Sequence, residues 1–435
     1  MKEGLMDYSE ALKYIQNLGW SQKNAGLQRI REALALCGNP QDRLSILHVA
    51  GSNGKGSVCA ILSSVLSQAG YHVGLFTSPD LLDYRERIQL DGEMISKEDF
   101  VRLCKMFIRL NHSMKEPLTT QEITTAMAFQ YFSEKKPDFL ILEVGMGGEL
   151  DSTNVISRPL ISVITNLSLE HTQFLGNSLE EIARAKAGII KKNRPVVSYH
   201  VPKPALEVFQ EKAKELGAPL YRVDPSKISF ISHSLEGQSF SVQREGGEET
   251  FDLSLLGRHQ VYNAATALLT LEILEKEGFF LPISSIREGL KKVTWPGRLE
   301  LLEKTQPILL DGGHNPQGAM AMRDFLEDYL PGQKVNFLFA ILRDKNVEET
   351  VSILKPYAES FSCLTAKSSR AMEKEKLCSL ILSKGAKAQS FSTIPQALDQ
   401  LRTKPEPIII FGSLALAGEV LSLKNTLFPG KNDFS

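Results

Sequence analysis

The sequence predicts an α/β protein of two domains, each built on a parallel sheet. From Ser45 onward, short apolar runs alternate with helical patterns, which is typical of strands joined by crossover helices. This pattern stops near Trp295-Pro296-Gly297 and then restarts. A chain of 435 residues is also too long for one ordinary hydrophobic core. We therefore expect one domain over residues 1–295 and a smaller one over residues 296–435.

The first domain begins with a helical lead-in over residues 6–37, which ends at Gly38-Asn39-Pro40. Near-continuous apolar runs predict buried strands, and apolar residues at helical spacing predict helices. The predicted strands are 45–50, 73–76, 138–144 and 160–165, and the predicted helices are 58–69, 97–110 and 120–133. Residues 221–256 alternate in polarity and contain a turn at Glu245-Gly246-Gly247. They predict a small antiparallel sheet that we assign to this domain.

The second domain repeats the α/β pattern on a smaller scale. Its predicted strands are 307–310, 335–341, 361–365 and 407–411, with a helix over 317–329. Neither domain contains an internal repeat or a low-complexity segment.

Composition excludes several classes of protein. A net charge of −1 gives no support for a nucleic-acid partner. The five cysteines form no CxxC pair, so we expect buried thiols in a reducing compartment and no zinc site. The N-terminus shows no signal peptide, and no stretch reaches the roughly 18 apolar residues of a membrane span. These observations predict a cytoplasmic protein without a membrane partner.

The segment from Gly51 to Ser57, GSNGKGS, predicts a phosphate-binding loop with unusual spacing. It lies between a predicted strand and a predicted helix, where free N–H groups and the positive helix end suit a polyphosphate. The common pattern is G-x-x-x-x-G-K-[ST]. Here the first glycine and Lys55 are two residues closer, and Gly56 separates Lys55 from the hydroxyl of Ser57. A glycine-rich turn without a ligand is the alternative interpretation.

Two further candidates follow strands of the same predicted sheet. Glu143 ends a strand, where a carboxylate near a phosphate loop could bind Mg²⁺, since this ion takes hard oxygen ligands. His171 follows the next strand and could bind a second metal or a phosphate. The alternative roles are a salt-bridged glutamate and a structural histidine.

For three other polar residues, the spacing alone does not decide between a functional and a structural role. Lys186 lies at the end of a predicted helix, where an exposed basic face is an equally good interpretation. Arg298 could hold a transferred phosphate, or form an interdomain salt bridge. Asp311 ends a strand before a glycine turn and could hold a ribose hydroxyl, orient a basic group or simply stabilise the turn.

Taken together, the motifs resemble the Mur ligase superfamily, and within it the folylpolyglutamate synthase/dihydrofolate synthase family. The resemblance extends over nearly the whole chain, with nine motifs in order: HVAGSNGKGS (48–57), FTSPDLLDYRERI (76–88), LEVGMGGELDSTN (142–154), ITNLSLEH (164–171), KAGII (186–190), LGRHQVYNAATAL (256–268), WPGRLE (295–300), LDGGHNP (310–316) and FGSLALAGEV (411–420). It implies an N-terminal Mur-ligase-type P-loop ATPase domain and a smaller C-terminal Rossmann-like α/β domain that carries the glutamate-ligase function. The shortened loop is the form that this superfamily uses.

The resemblance also implies a reaction. ATP converts a carboxylate of dihydropteroate or a reduced folate into an acyl phosphate, and the amine of L-glutamate displaces the phosphate. Such a ligase serves folate biosynthesis, polyglutamylation and one-carbon metabolism. The resemblance implies two Mg²⁺ ions, and it favours a monomer.

By the same resemblance, Lys55 contacts the terminal phosphates, Ser57 and Glu143 hold one Mg²⁺, and His171 helps to hold a second. Lys186 matches a lysine that relatives carry as a carbamate, which would make it a metal ligand. Lys55, His171, Lys186 and Arg298 are the predicted catalytic residues. The predicted ATP-binding set is Gly51, Asn53, Gly54, Lys55, Gly56, Ser57, Asn263, Arg298, Asp311 and His314. The predicted substrate-binding set is Ser78, Pro79, Arg85, Asp151, His314 and Ser413.

The chain departs from the family pattern near the expected acceptor region. Asp80 replaces a common histidine, Gln121 an aromatic residue, and Glu149 an arginine. An anionic acceptor would be repelled by Asp80 and Glu149 unless cations pair with them, and Arg85 and Arg87 are nearby in sequence. Glu170 and Ala415 replace aspartate and an aromatic residue, respectively.

These departures keep other functions open. The enzyme could be a Mur-type ligase for a different carboxylate or amino acid, or a nucleotide-binding regulatory protein without catalysis. The intact Lys55, Ser57, Glu143, His171 and Lys186 favour an active ligase. The sequence leaves open whether one or both folate reactions occur, and how long a glutamate chain results.

Overall fold

The chain divides into two compact units in the computed structural model, which describes residues 6–19, 26–169 and 175–428. The first unit contains the described residues up to Ile228 together with Tyr262–Lys292. The second contains Ser229–Val261 and the described residues from Val293 onward. No helix in these described ranges is both long and apolar enough to cross a membrane.

The first unit contains an eight-stranded sheet in the order β4-β3-β2-β5-β1-β6-β7-β8. Its strands are β1 (Ile46–Ala50), β2 (Val73–Phe76), β3 (Ile88–Leu90), β4 (Glu93–Met94), β5 (Phe139–Glu143), β6 (Ile161–Ile164), β7 (Val196–Ser198) and β8 (Leu220–Arg222). The strands pair in parallel except for β3 and β4, which add an antiparallel edge. β1 lies between β5 and β6, so the carboxyl ends of these three strands adjoin one another. Ligands gather at such an edge in open parallel sheets.

Helices cover both faces of this sheet. They are α1 (Tyr8–Asn17), α2 (Gln28–Leu36), α3 (Lys55–Gln68), α4 (Lys97–Ser113), α5 (Thr120–Lys135), α6 (Leu179–Ala187) and α7 (Lys203–Leu216). One buried core joins α1, α2, α4 and α5 to β5, with Phe100, Phe129 and Leu140 among its members. A second joins α6 and α7 to β6 and β7, with Phe209 and Ile164 among its members. Coverage on both faces explains why the central strands are apolar without alternation.

The predicted antiparallel sheet is present as β9 (Ile228–Ser234), β10 (Gly237–Arg244) and β11 (Gly247–Leu253). Our assignment of this sheet to the first domain differs from the structure, which groups Ser229–Val261 with the second unit. The physical reason is contact with that unit's core: Leu235 and Leu256 pack there, and the Tyr329 hydroxyl donates to Gln238 Oε1 at 3.0 Å. The limits 1–295 and 296–435 stay a prediction.

Two helices follow this sheet, α8 (Arg258–Lys276) and α9 (Ile283–Lys292). The second unit then forms a six-stranded sheet in the order β12-β13-β17-β14-β15-β16, in which only β12 is antiparallel. Its strands are β12 (Glu300–Glu303), β13 (Ile308–Leu310), β14 (Val335–Phe339), β15 (Ala358–Cys363), β16 (Ala388–Ser390) and β17 (Ile408–Phe411). Its helices are α10 (Pro316–Tyr329), α11 (Val347–Leu354), α12 (Lys374–Ser383), α13 (Ile394–Arg402), α14 (Leu414–Ser422) and α15 (Lys424–Leu427).

The predicted α/β class and the long elements are confirmed, with shifts at their ends. The first helix after the loop begins at Lys55 and not at residue 58. The predicted lead-in consists of α1 and α2, with residues 20–25 outside the described range. The short strands β3, β4, β7, β12 and β16 were not predicted, and β8 pairs in parallel although its sequence suggested the antiparallel sheet.

Candidate active site

The predicted phosphate loop connects β1 to α3 and depends on two glycines. Gly54 has φ +86°, and a Cβ there would lie 2.5 Å from Asn263 Oδ1. Gly51 has φ +151°, and a Cβ there would overlap the Thr165 hydroxyl. Lys55 starts α3, and its Nζ donates to Gly51 O at 3.1 Å and to Ser52 O at 3.4 Å. The loop therefore combines closely packed backbone, a helix N-terminus and a cation, which fits a polyphosphate.

The segment after β6 holds this loop in place. Ser52 N donates to Asn166 O at 2.7 Å, and the Thr165 hydroxyl donates to Asn53 O at 2.8 Å. Ser168 N donates to Ser52 Oγ at 3.0 Å. A local sequence pattern does not predict these supporting contacts, although Thr165, Asn166 and Ser168 belong to the ITNLSLEH motif. Because two loops brace each other, the phosphate loop is fixed by side chains that need not touch a ligand.

Glu143 ends β5, directly beside Val49 of β1, and is only 4% exposed. Its carboxylate accepts a hydrogen bond from Ser78 N at 3.0 Å. Ser57, in the first turn of α3, is also buried. Burial raises the pKa of the Cys59 thiol, and the Glu143 charge adds to this effect while Lys55 opposes it. A buried carboxylate and hydroxyl beside the phosphate loop fit Mg²⁺, which prefers hard oxygen ligands. His171, the predicted second ligand, lies outside the described residues.

Lys186 lies in the last turn of α6 and is 1% exposed, so the alternative interpretation, in which it belongs to an exposed basic helix face, is wrong. The loop after β5 packs against it: a Cβ on Gly148 would lie 3.0 Å from Lys186 Cα, and Glu149 N donates to Ala185 O at 2.8 Å. Asn154 Nδ2 donates to Glu149 O and to Gly188 O. The loop that follows Glu143 is thereby joined to the helix end that carries Lys186.

Asp151, a predicted substrate-binding residue, is fully engaged by its own loop. Its carboxylate accepts from Met146 N at 3.0 Å, from Thr153 N at 3.0 Å and from the Thr153 hydroxyl at 2.6 Å. Burial raises the pKa of this carboxyl group, and the hydrogen bonds oppose that shift. The Thr153 hydroxyl also contacts the buried His48 Nε2 at 2.9 Å. His48 was missed by the sequence analysis, because a histidine inside an apolar strand gives no signal of its partner.

The segment after β2 contains the two arginines that could offset Asp80. Arg87 Nε donates to Asp80 Oδ1 at 2.6 Å, which confirms that a cation pairs with this aspartate. Arg85 instead pairs with Asp83 at 2.7 Å and lies 5.4 Å from the ring centroid of Tyr8. The geometry gives Arg85 a structural role and leaves its predicted contact with substrate without support. Ser78 and Pro79, also predicted to bind substrate, lead into this segment from β2.

Most of the remaining predicted residues lie near the carboxyl ends of β13 and β17 in the second unit. Asn263, on α8, belongs to the first unit. Asp311 accepts from Leu299 N at 3.0 Å and from Gly313 N at 2.7 Å. Burial raises its pKa, and the neighbouring Arg298 guanidinium opposes the shift. His314 Nδ1 lies 3.4 Å from Gly312 O, and a Cβ on Gly312 would lie 2.7 Å from Arg298 Nη1. Ser413 caps α14 by accepting from Leu416 N at 3.2 Å.

Comparison with known proteins agrees with both units. The Mur ligase middle domain matches residues 49–271, and the Mur ligase glutamate ligase domain matches residues 297–414. The chain is 34% identical over 422 residues to the dihydrofolate synthase/folylpolyglutamate synthase of Bacillus subtilis, covering 95% of this chain and 98% of that protein. It is 32% identical to the folylpolyglutamate synthase of Lacticaseibacillus casei, covering 98% of this chain and all of that protein.

Solved structures agree as well. The folylpolyglutamate synthase of Thermotoga maritima matches with a TM-score of 0.84 and 33% identity over 98% of both chains. Escherichia coli FolC in complex with DHPP and ADP matches with a TM-score of 0.86 and 27% identity over 98% of this chain and 99% of that one.

The fold and the two matching family domains are those of an ATP-dependent ligase of the Mur type. More narrowly, the chain belongs to the folylpolyglutamate synthase/dihydrofolate synthase family.

Proposed function

We propose that this enzyme joins L-glutamate to dihydropteroate, to reduced folates or to both, through an acyl-phosphate intermediate. The observation that carries the proposal is the convergence of the shortened phosphate loop with buried Glu143 at the ends of adjacent strands β1 and β5. Full-length similarity to dihydrofolate and folylpolyglutamate synthases supports the choice of substrates. Such an enzyme would serve folate biosynthesis and polyglutamylation.

The loop would serve the first step, in which a substrate carboxylate attacks the terminal phosphate of ATP. Backbone N–H groups from Gly51 to Ser57 and the Lys55 ammonium would hold the phosphate oxygens as charge develops on them. Because loop and cation are already fixed by Thr165, Ser52 and the loop carbonyls, little reorganisation is needed when the reaction begins. Positioning the carboxylate and ATP together also removes most of the entropic cost of their encounter.

The metal residues fit this chemistry. Ser57, Glu143 and His171 would hold two Mg²⁺ ions, which neutralise phosphate charge when bound. We assign Lys186 as a carbamate ligand. Its burial supports this assignment, since a buried ammonium is costly and a carbamate changes its charge to that of a metal-binding carboxylate.

In the second unit, we assign Arg298, Asp311 and His314 to ATP and glutamate contacts, and Ser413 to substrate. Asn263 is assigned to ATP because its side chain abuts Gly54 of the phosphate loop. Arg298 is held by Gly297 O at 3.2 Å, which leaves further guanidinium donors to engage a phosphate or carboxylate.

A second candidate is ligation to a different carboxylate, which the departures at Asp80, Gln121 and Glu149 motivate. The Asp80–Arg87 ion pair weakens that case because it cancels one of the two added negative charges. Burial lowers the pKa of Lys191 to about 8 and the Glu149 charge opposes this shift, so a cation lies near this charge too.

The test is glutamate-dependent phosphate release with Mg-ATP, with dihydropteroate and tetrahydrofolate offered in separate reactions and products weighed by mass spectrometry. We expect a gain of one glutamyl unit on at least one acceptor, and Lys55→Ala should abolish it. Folded protein that binds ATP but adds glutamate to neither acceptor would contradict the proposal and favour another carboxylate. We further propose a cytoplasmic monomer, and light scattering would test the monomeric state.

A further inference from the structure

Arg87 joins two residues at which this chain departs from the family pattern. Its Nε donates to Asp80 Oδ1 at 2.6 Å, and its Nη1 lies 3.5 Å from Gln121 Oε1. Asp80 and Gln121 are 41 positions apart in sequence, on the segment after β2 and at the start of α5. The two departures are therefore linked through one guanidinium group.

The position of Arg87 is fixed from a third side. Its guanidinium lies 4.6 Å from the ring centroid of Tyr84, which is a cation–π contact. The Tyr84 hydroxyl is 2.6 Å from Thr124 Oγ1, so this ring is attached to α5, the helix that carries Gln121. The side chain of Arg87 is only 15% exposed. The guanidinium group of Arg87 therefore has little conformational freedom and can orient the Gln121 amide.

This orientation leaves the amide nitrogen of Gln121 as a donor. Oε1 faces the guanidinium, so Nε2 faces the other way, toward the loop after β5, where a Cβ on Gly145 would lie 3.2 Å from it. Nε2 is buried and has no hydrogen-bond partner among the described residues. Gly145 is two residues beyond Glu143. The donor is therefore placed at the same strand edge as the proposed metal residue.

Burial of an amide donor without a hydrogen-bond partner is costly, so a native site normally supplies a partner. We propose that Gln121 determines acceptor recognition by donating from Nε2 to an uncharged oxygen or nitrogen of the acid substrate, and that Asp80 and Arg87 act as positioning residues for it. This inference rests on the proposed function. Because Asp80 neutralises Arg87, the site presents a neutral donor and suits a carbonyl oxygen or ring nitrogen better than a carboxylate.

The two proposed acceptors share the pyrimidine ring of the pterin, with its carbonyl oxygen and ring nitrogens, whereas they differ in the reduction state of the second ring and in the glutamyl portion, which carries carboxylates. Loss of the Gln121 donor should therefore weaken both acceptors by a similar factor. For Gln121→Met, which keeps the length of the side chain, we expect the KM for dihydropteroate and for tetrahydrofolate to rise about tenfold. The KM values for ATP and L-glutamate should stay within about twofold of wild type.

The matched control is Gln130→Met on the same helix, since its amide donates to Glu134 Oε1 at 2.8 Å and lies apart from this group. It should leave every KM unchanged. Gln121→Glu is the second variant, because it retains an oxygen for Arg87 but replaces the donor with a carboxylate oxygen. It should raise both acceptor KM values at least as much as Gln121→Met, and thermal unfolding would confirm that each variant is folded.

Asp80→Asn tests the positioning role. Alone it should raise the acceptor KM by about threefold, and combined with Gln121→Met it should add nothing, because the two residues act on one donor. Multiplicative effects would overturn the positioning role of Asp80.

Acceptor KM values within twofold of wild type in both Gln121 variants would overturn the recognition role of Gln121. An increase for tetrahydrofolate alone would overturn the assignment to an uncharged group. Wild-type enzyme that uses neither acceptor would instead contradict the proposed function, and this inference with it.

Discussion

The side chains at the candidate site are buried to an extent that their residue types do not suggest. Lys186 is 1% exposed and Glu143 is 4% exposed, although lysine and glutamate usually face water. Burial of a charged group is costly unless the group is paired, and buried ionisable groups cluster at functional sites, which makes these positions informative. From the sequence alone, each residue had a structural interpretation as an alternative, and burial now favours the functional interpretation of each.

At Lys186 we predict that substitution by alanine abolishes ligation but leaves the protein folded. The physical reason is loss of the carbamate that would hold a metal ion. Acetate or formate should restore part of the activity by entering the space that the side chain leaves. The measurement is product formation with and without added short acids. Lys192→Ala, an exposed neighbour, is the control, and normal turnover in Lys186→Ala would exclude the carbamate.

At Glu143 we predict that the near-isosteric Gln variant raises the Mg²⁺ concentration for half-maximal activity at least tenfold. An amide can still accept the hydrogen bond from Ser78 N but lacks the charge that attracts the ion. Activity across a Mg²⁺ titration is the measurement, with exposed Glu211→Gln as the control. If both titration curves match that of wild type, Glu143 is no metal ligand.

The buried side chain of His48 leads to a prediction about how the stability of the protein depends on pH. Burial lowers its pKa from 6.5 to about 3, so the native protein holds it neutral while the unfolded chain binds a proton below pH 6.5. The stabilisation that neutral His48 contributes to the free energy of unfolding is therefore present above pH 6.5, and it is lost as the pH falls from there toward 3. By linkage the loss is about 2 kcal/mol at pH 5.

Urea unfolding of wild type and His48→Gln at pH 7.5 and pH 5 would measure this contribution. The difference in unfolding free energy between the two proteins should shrink or reverse at pH 5. Exposed His200→Gln should follow wild type at both values. A difference that does not change with pH would mean that His48 is already protonated in the folded state.

At the scale of elements, the strands that the sequence predicts correctly are those that are long enough to show a regular apolar pattern. Strands β1, β2, β5 and β17 were found within one or two residues because both faces of each are covered, which makes the sequence continuously apolar. Strands of two or three residues, such as β4 and β16, carry too few side chains for any period to show. Their pairing depends on neighbouring strands that a local pattern does not contain.

The phosphate loop allows a test in which backbone strain is held constant. Gly54 and Gly70 have nearly equal φ values, +86° and +89°, but a Cβ at Gly54 would meet Asn263 while the space around Gly70 is open. Alanine at either position should cost about 1–2 kcal/mol of stability from its left-handed conformation. Only Gly54→Ala should also lose ATP-dependent turnover, by about a hundredfold or more. Equal activity in the two variants would show that the Gly54 backbone is not held against Asn263.

At the scale of the whole molecule, the second unit is assembled from two separate segments of the chain. Residues 229–261 supply the antiparallel sheet and Leu256, which lies in the same core as Phe325 and Phe337. Arg258 also forms an ion pair with Asp328 at 2.5 Å. The sequence predicts a boundary at one point because the α/β pattern stops and restarts once, near residue 295. It could not show that an earlier segment completes the later core, since that is a long-range contact.

We therefore predict that a fragment of residues 296–435 folds poorly by itself. It would lack Leu256 and the Gln238 partner of the Tyr329 hydroxyl, and so would expose part of its core. A fragment of residues 229–435 retains these contacts and should unfold more cooperatively and at a higher temperature. Thermal unfolding followed by circular dichroism compares the two. A shorter fragment as stable as the longer one would make residues 296–435 an independent domain, as the sequence suggested.

The candidate site was predictable in its chemistry and less so in its supports. Lys55, Ser57 and Glu143 could be proposed as site residues because a glycine loop and a strand-end carboxylate have local signatures. Thr165, which braces the loop, and the Asp80–Arg87 pair, which the sequence raised only as a condition, depend on which strands are neighbours. Residue type shows what a group can do, whereas its partner is decided by topology.

The close packing around Gly51 and Gly54 has a consequence for the gene. Every missense change in a glycine codon adds a Cβ, so no substitution at these two positions escapes contact with Thr165 or Asn263. At Gly70, by contrast, asparagine or aspartate can adopt the left-handed conformation without meeting a neighbour. In a population of variants selected for growth, the first two codons should therefore remain invariant, while the third can drift.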